Sequence, residues 1–155
     1  MLRRLFTACL VRPADVPPSD PSLEVVGTFN PAAIEADGAV MLLIRVAERP
    51  KEQRQGMTAL PRWDAAAGLT IDWEPNDGLR FVDPRIVEVK ATGVIRLTFI
   101  SHLICARSKD GRSIDSIGAS SFTPETDYET YGVEDPRFTR PDGNVYFTYV
   151  AVSKH

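Results

Sequence analysis

Cysteine and histidine are scarce: two of each in 155 residues, Cys9 and Cys105, His102 and His155. No C-x-x-C pair occurs and no histidine cluster surrounds either thiol, so a disulfide framework and a zinc site are both excluded and no metal is expected. The thiol usage fits a reducing cytoplasm. Charge of one sign is also missing. Eighteen basic residues stand against twenty-one acidic ones, a formal −3 without a long run of either, which offers no surface for nucleic acid or an anionic membrane. No apolar run is long enough to span a bilayer. Residues 1–13, "MLRRLFTACLVRP", imitate a signal peptide, but Leu5 to Val11 run straight into Arg12 and Pro13 without a small-residue cleavage site. A short strand is expected there instead.

What is present is ordinary globular composition, 43% hydrophobic and 25% charged, enough for one domain core. Helical periodicity is almost absent. The best amphipathic stretch, "AERPKEQRQGM", is broken by Pro50 and Gly56 and reads as a polar excursion. Proline-rich "PADVPPSDPS", residues 13–22, reads as an extended connector.

Three segments resemble one another: "FNPAAIEADGAVMLLIRVAE" from Phe29, "VDPRIVEVKATGVIRLTFIS" from Val82 and "EDPRFTRPDGNVYFTYVAVS" from Glu134. Each sets Asn or Asp before a proline, then a short strand, a glycine turn and a longer β-rich run. The prolines, Pro31, Pro84 and Pro136, are 53 and 52 residues apart. Asp37-Gly38, Thr92-Gly93 and Asp142-Gly143 supply the turns, and Asp-Gly between apolar runs is a strong hairpin signal. With further strands expected at "GLTIDW" and "HLICARS", the unit has about four strands and resembles a propeller blade. An all-β sandwich is the competing architecture. The expected organisation is one all-β, partial β-propeller domain over 1–155: an N-terminal strand and connector at 1–24, blade 1 at 25–75, blade 2 at 76–130 and the start of blade 3 at 131–155. That is about two and a half blades, fewer than a propeller needs to close. A piece of a longer protein, or association into a homo-oligomer, is therefore expected.

Inner strands of propeller blades line a common channel, which would bring Asn30, Asp83 and Asp135 together. An Asx turn starting each strand is the alternative. Asp135 stands out because Glu134 adjoins it and Arg137 follows two residues later, close enough to tune its charge. Other constellations are weaker. Ser153 and His155 lack the G-x-S-x-G elbow, and "DGRSIDS" lacks the ligand spacing of a calcium loop. Tyr146, Phe147 and Tyr149 are split between sugar stacking and blade core, while Trp63 and Trp73 read as packing.

"GTFNPAAI…LLIRVAE" together with "YGVEDPRFTR…YFTYVAVSKH" resembles glycoside hydrolase family 130, five-bladed propeller enzymes that include β-1,4-mannosyl phosphorylases and β-mannosidases. The resemblance runs from about Arg4 to the last residue. It implies that Asp135, in "E-D-P-R", is the general acid, its proton reaching the glycosidic oxygen through a hydroxyl of bound mannose. Asn30 and Arg45 resemble sugar-contacting positions, with Asp83 and Arg85 in the matching place of the second copy; Glu134 and Arg137 are further substrate-binding candidates, with a structural clamp on Glu134 or on an adjacent blade as the alternative for Arg137. The expected reaction is inverting phosphorolysis of β-1,4-mannosides to α-mannose 1-phosphate, with inorganic phosphate as co-substrate and no cofactor. An inverting β-mannosidase and a non-catalytic carbohydrate-binding propeller are the alternatives. One acid with arginines suits phosphorolysis, because phosphate is already a charged nucleophile held by cations; a second well-placed carboxylate would suit water. The family's principal phosphate ligands lie mostly beyond the "A-V-S" strand. The 155-residue chain alone is therefore expected to show little or no catalysis.

Overall fold

The computed structural model describes residues 7–153, and all of its long elements are strands; the rest of the regular structure is three single-turn 3-10 segments. Strands β1 (Leu23–Ala36) and β2 (Ala39–Pro50) form the first expected hairpin. Asp37 and Gly38 both have positive φ, 51° and 68°, the pairing a two-residue turn between twisted strands requires. Strand β3 (Met57–Asp64) pairs with β4 (Gly68–Pro75), and β5 (Leu79–Asp83), β6 (Ile86–Val89) and β7 (Val94–Leu97) form a separate three-stranded meander. Next come β8 (Ile100–Ser108) and β9 (Ser116–Phe122), then the hairpin of β10 (Gly132–Thr139) and β11 (Tyr146–Val152). All three glycine turns of the repeat therefore close hairpins.

The blade boundaries expected at 25–75 and 76–130 do not coincide with the sheets. Strand β2 takes β8 as its antiparallel neighbour, from Val40 opposite Ser108 to Glu48 opposite Ile100, and β9 adds outside β8. The four-stranded sheet is thus β1-β2-β8-β9, and β3 to β7 intervene in the sequence between its second and third strands. Burial gives the reason. Strands β2 and β8 are the two most buried strands and are covered on both faces, so they pair with each other across the long stretch of chain between Pro50 and Ile100. Leu42, Ile44, Val46, Ile104 and Ala106 pack on one face with Val16 of the connector; Leu43, Leu103, Ala32 and Val133 pack on the other. The short strand expected at 5–11 is also corrected where it is described: residues 7–12 form no strand. Cys9 and Cys105 are free thiols. Among the described residues no helix is long and apolar enough to cross a membrane.

The next hairpin joins this sheet through a single parallel bridge, Gly132 to Ser101. That bridge sets β10 beside β1 and brings the first strands of two hairpins together.

Candidate active site

The two first strands share an irregularity. β1 breaks register between Phe29 and Ala32, β10 between Glu134 and Arg137. At these bulges Asn30 has φ 49° and Asp135 φ 47°, left-handed values that Asn and Asp tolerate better than other side chains. Bulges re-aim side chains, and here they aim two at each other: Asn30 Nδ2 donates to Asp135 Oδ1 at 2.8 Å.

Arg45 completes the cluster from β2. Its Nη1 lies 3.3 Å from the same Asp135 Oδ1, its Nη2 lies 2.5 Å from Glu134 Oε1, and its Nε donates to Ser101 Oγ at 3.3 Å. Ser101 in turn donates to Glu134 Oε1 at 3.1 Å. The guanidinium also sits 4.7 Å from the centroid of the Phe29 ring. The side chains of Arg45 and Glu134 are 11% and 15% exposed, that of Asp135 38%. Asp135 is therefore the accessible carboxylate. Its Oδ1 carries both donors, and among the described residues none reaches Oδ2. Beside the cluster lies a cleft of about 580 Å³ whose wall includes Phe29, Asn30, Arg45, Arg49, Arg85 and Phe99.

Burial raises the Glu134 carboxyl above its ordinary range; Arg45 and the Ser101 hydroxyl pull it back, and the neighbouring Asp135 pushes it up again. A carboxyl raised on folding binds its proton more tightly in the folded state, so its contribution to stability is full at low pH and is lost as pH rises through the folded-state value. Glu134→Gln is expected to remove that loss. Urea melts of wild type and variant across about pH 4 to 8 should show the wild type losing ground relative to Glu134→Gln as pH rises.

The remaining sequence candidates divide. Arg85 lines the cleft, but Asp83 serves its own turn. Its Oδ1 accepts the N–H groups of Arg85 at 2.6 Å and Ile86 at 3.1 Å, and these with the Arg85 side chain hold its carboxyl below the usual range. Among the described residues no contact links Asp83 to Asn30 or Asp135, so the expected meeting of three residues reduces to two. The middle copy sits in a different small sheet and lacks the left-handed residue. The spacing between equivalent site positions is 135 − 30 = 105 residues. Arg137 stays outside: it is exposed and donates to the Pro136 carbonyl at 2.7 Å rather than to Glu134. His155 lies outside the described residues. Ser101 and Phe99 carried no sequence signal; the β2–β8 register brings in Ser101, and Phe99 lies just before β8.

The strand-built fold is of the β-propeller type, with a carboxylate–arginine site where the first strands of two hairpins meet. No family model matches the chain. It is 34% identical over 153 residues to the beta-1,2-mannobiose phosphorylase of Listeria innocua, covering 94% of this chain and 42% of that protein. A solved structure of beta-1,2-mannobiose phosphorylase from Listeria innocua, in complex with beta-1,2-mannobiose, superposes with a TM-score of 0.85 at 33% identity, covering 93% of this chain. The chain is a partial-length match to glycoside hydrolase family 130, spanning 42% of that relative's length.

Proposed function

We propose that this chain carries the general-acid side of an inverting β-mannoside phosphorylase. Phosphate attacks the anomeric carbon from the face opposite the leaving group, the glycosidic C–O bond breaks, and Asp135 supplies the proton the departing oxygen needs. The product is α-mannose 1-phosphate. Asn30 and Arg45 both donate to Oδ1, so the proton is carried on Oδ2, which no donor among the described residues holds.

The observation that carries the reading over hydrolysis is the state of the second carboxylate. An inverting hydrolase needs a base that holds a water. Glu134 is committed through Oε1 to Arg45 and Ser101, and its side chain is 15% exposed against 38% for Asp135, so it is the less accessible of the two carboxylates for a water. Asp83 is engaged by backbone N–H groups. A nucleophile that needs no base fits this site better, and the cleft holds Arg49, paired with Glu24, and Arg85, paired with Asp83, whose remaining N–H groups suit an anionic co-substrate or sugar hydroxyls.

The β-1,4 linkage expected from sequence has no support from the relative, whose name specifies β-1,2-mannobiose; we take β-1,2-mannobiose as the first substrate to test. Two free thiols keep a cytoplasmic setting as part of the proposal. The test incubates the polypeptide carrying these residues with β-1,2- or β-1,4-mannobiose, with and without inorganic phosphate, and follows products by phosphorus NMR. Sugar phosphate formed only when phosphate is present is expected. Free mannose released equally without phosphate would place the chain with the hydrolases.

A further inference from the structure

Arg45 has to hold two carboxylates at once, and its polar contacts do not fix it by themselves. Nη1 lies 3.3 Å from Asp135 Oδ1 and Nε lies 3.3 Å from Ser101 Oγ, long for N–H···O bonds, while Nη2 lies 2.5 Å from Glu134 Oε1. A flexible side chain bonded firmly at one corner can pivot there, and Asp135 is the contact it would lose. The rest of the restraint is aromatic: Arg45 Cζ lies 4.7 Å from the Phe29 ring centroid and 5.9 Å from that of Phe99. Stacking uses the face of a guanidinium and leaves its edge N–H donors to the carboxylates, so ring and acids do not compete.

Phe29 stands opposite Arg45 in the β1–β2 register, and Gly27 stands opposite Ala47. Residues two apart on a strand share a face, so the ring and any side chain at position 27 would contend for one space. The ring leans back over the glycine. A Cβ at Gly27 would overlap Phe29 Cε1 and lie 3.1 Å from Cδ1 and 3.3 Å from Cζ. All three of these nearest atoms belong to that ring. Gly27 has no positive φ, so the glycine is needed for room and not for its backbone conformation, as where a strand admits a close approach. With 38% of Phe29 exposed, a displaced ring has open cleft to turn into.

We propose that Gly27 and Phe29 are positioning residues for the acid pair: the missing side chain at Gly27 lets the Phe29 ring lie against the Arg45 guanidinium, and the ring holds that guanidinium on both Glu134 and Asp135. The catalytic consequence rests on the phosphorylase reading; the clamp itself does not.

The clamp is read in the chain labelled with 15N-arginine, the Arg45 signals being assigned through Arg45→Lys. A held guanidinium turns slowly about Nε–Cζ and shows separate Nη resonances. Gly27→Ala and Phe29→Ala are each expected to speed that rotation about tenfold, the loss of one desolvated cation–π contact. In the Phe29→Ala background, Gly27→Ala is expected to add less than about twofold, because the atoms it would displace are gone. In an active polypeptide that carries these residues, either variant is expected to lose about tenfold in kcat for mannobiose phosphorolysis, with KM within about twofold of wild type. Averaged Nη signals already in the wild type, rotation in Phe29→Ala within about twofold of wild type, or a Gly27→Ala effect undiminished without the ring would each overturn the proposal. A raised KM at unchanged kcat would overturn it as well, making Phe29 a platform for the sugar. A wild type that forms no sugar phosphate would sink the phosphorylase reading alone, and the Arg45 rotation would still decide the clamp.

Discussion

In an active polypeptide that carries these residues, Asp135→Asn is expected to lower phosphorolysis by about 10²–10⁴-fold, the usual contribution of a positioned general acid. The exchange keeps the shape of the side chain, and Asn tolerates the left-handed backbone at this position, φ 47°. The fold and the Asn30 contact should survive, so KM is expected to change far less than kcat. Asn cannot release a proton to a departing alkoxide, and that deficit alone should appear. A mannoside with an acidic nitrophenol leaving group needs no such proton and should recover most of the lost rate. Sugar phosphate release from both substrates, alongside a thermal melt, separates loss of the acid from loss of the fold. Full activity of the variant on mannobiose would remove Asp135 from the chemistry.

Gly132→Ala is expected to destabilise the protein by about 3 kcal/mol or more, combining overpacking with backbone strain. A Cβ at Gly132 would lie 2.5 Å from the Ser101 nitrogen and 2.6 Å from its oxygen, and φ is +122°. Both obstructing atoms are backbone, so no side-chain rotation relieves the clash. The substitution strikes the one bridge between β8 and β10, two residues before Glu134. Relief would separate the strands and pull Ser101 from Glu134, so whatever protein still folds should bind mannoside poorly. Denaturant melts give the first effect and calorimetric titration with mannobiose the second; a variant within about 0.5 kcal/mol of wild type would contradict the bridge as described.

The hairpins were legible in the sequence because their turns depend on local chemistry. Asp37-Gly38 adopts the paired positive φ values that dipeptide favours, and Thr92-Gly93 and Asp142-Gly143 also lie in turns between paired strands. Asn30, Arg45, Glu134 and Asp135 stood out as candidates from the motifs around them, and the structure brings all four side chains together. Sheet order was not legible. A proline spacing near fifty suggested three consecutive blades, whereas long-range pairing of two strands buried on both faces decides that β8 completes the first sheet. Asp83 shared the Asp-Pro signature but lies in a small meander, where the carboxylate caps its own turn. Ser101 shows the limit most clearly. Nothing in "FISHLI" marks the serine, and its role exists only because Ala47 pairs with it and Gly132 bridges to it.

The two acids that open "EDPRFTR" are thus reconciled with strand formation by division of labour. Glu134 turns inward and is neutralised by Arg45, while the bulge turns Asp135 toward Asn30 and solvent. The central claim is that the free oxygen of Asp135 meets the bond to be broken. A crystal structure of Asp135→Asn with β-1,2-mannobiose bound tests it most directly. The account predicts the residue-135 amide within about 3.2 Å of the glycosidic oxygen or of a hydroxyl on the mannose that carries the scissile bond. A disaccharide bound productively elsewhere, with residue 135 making no contact to it, would contradict the account.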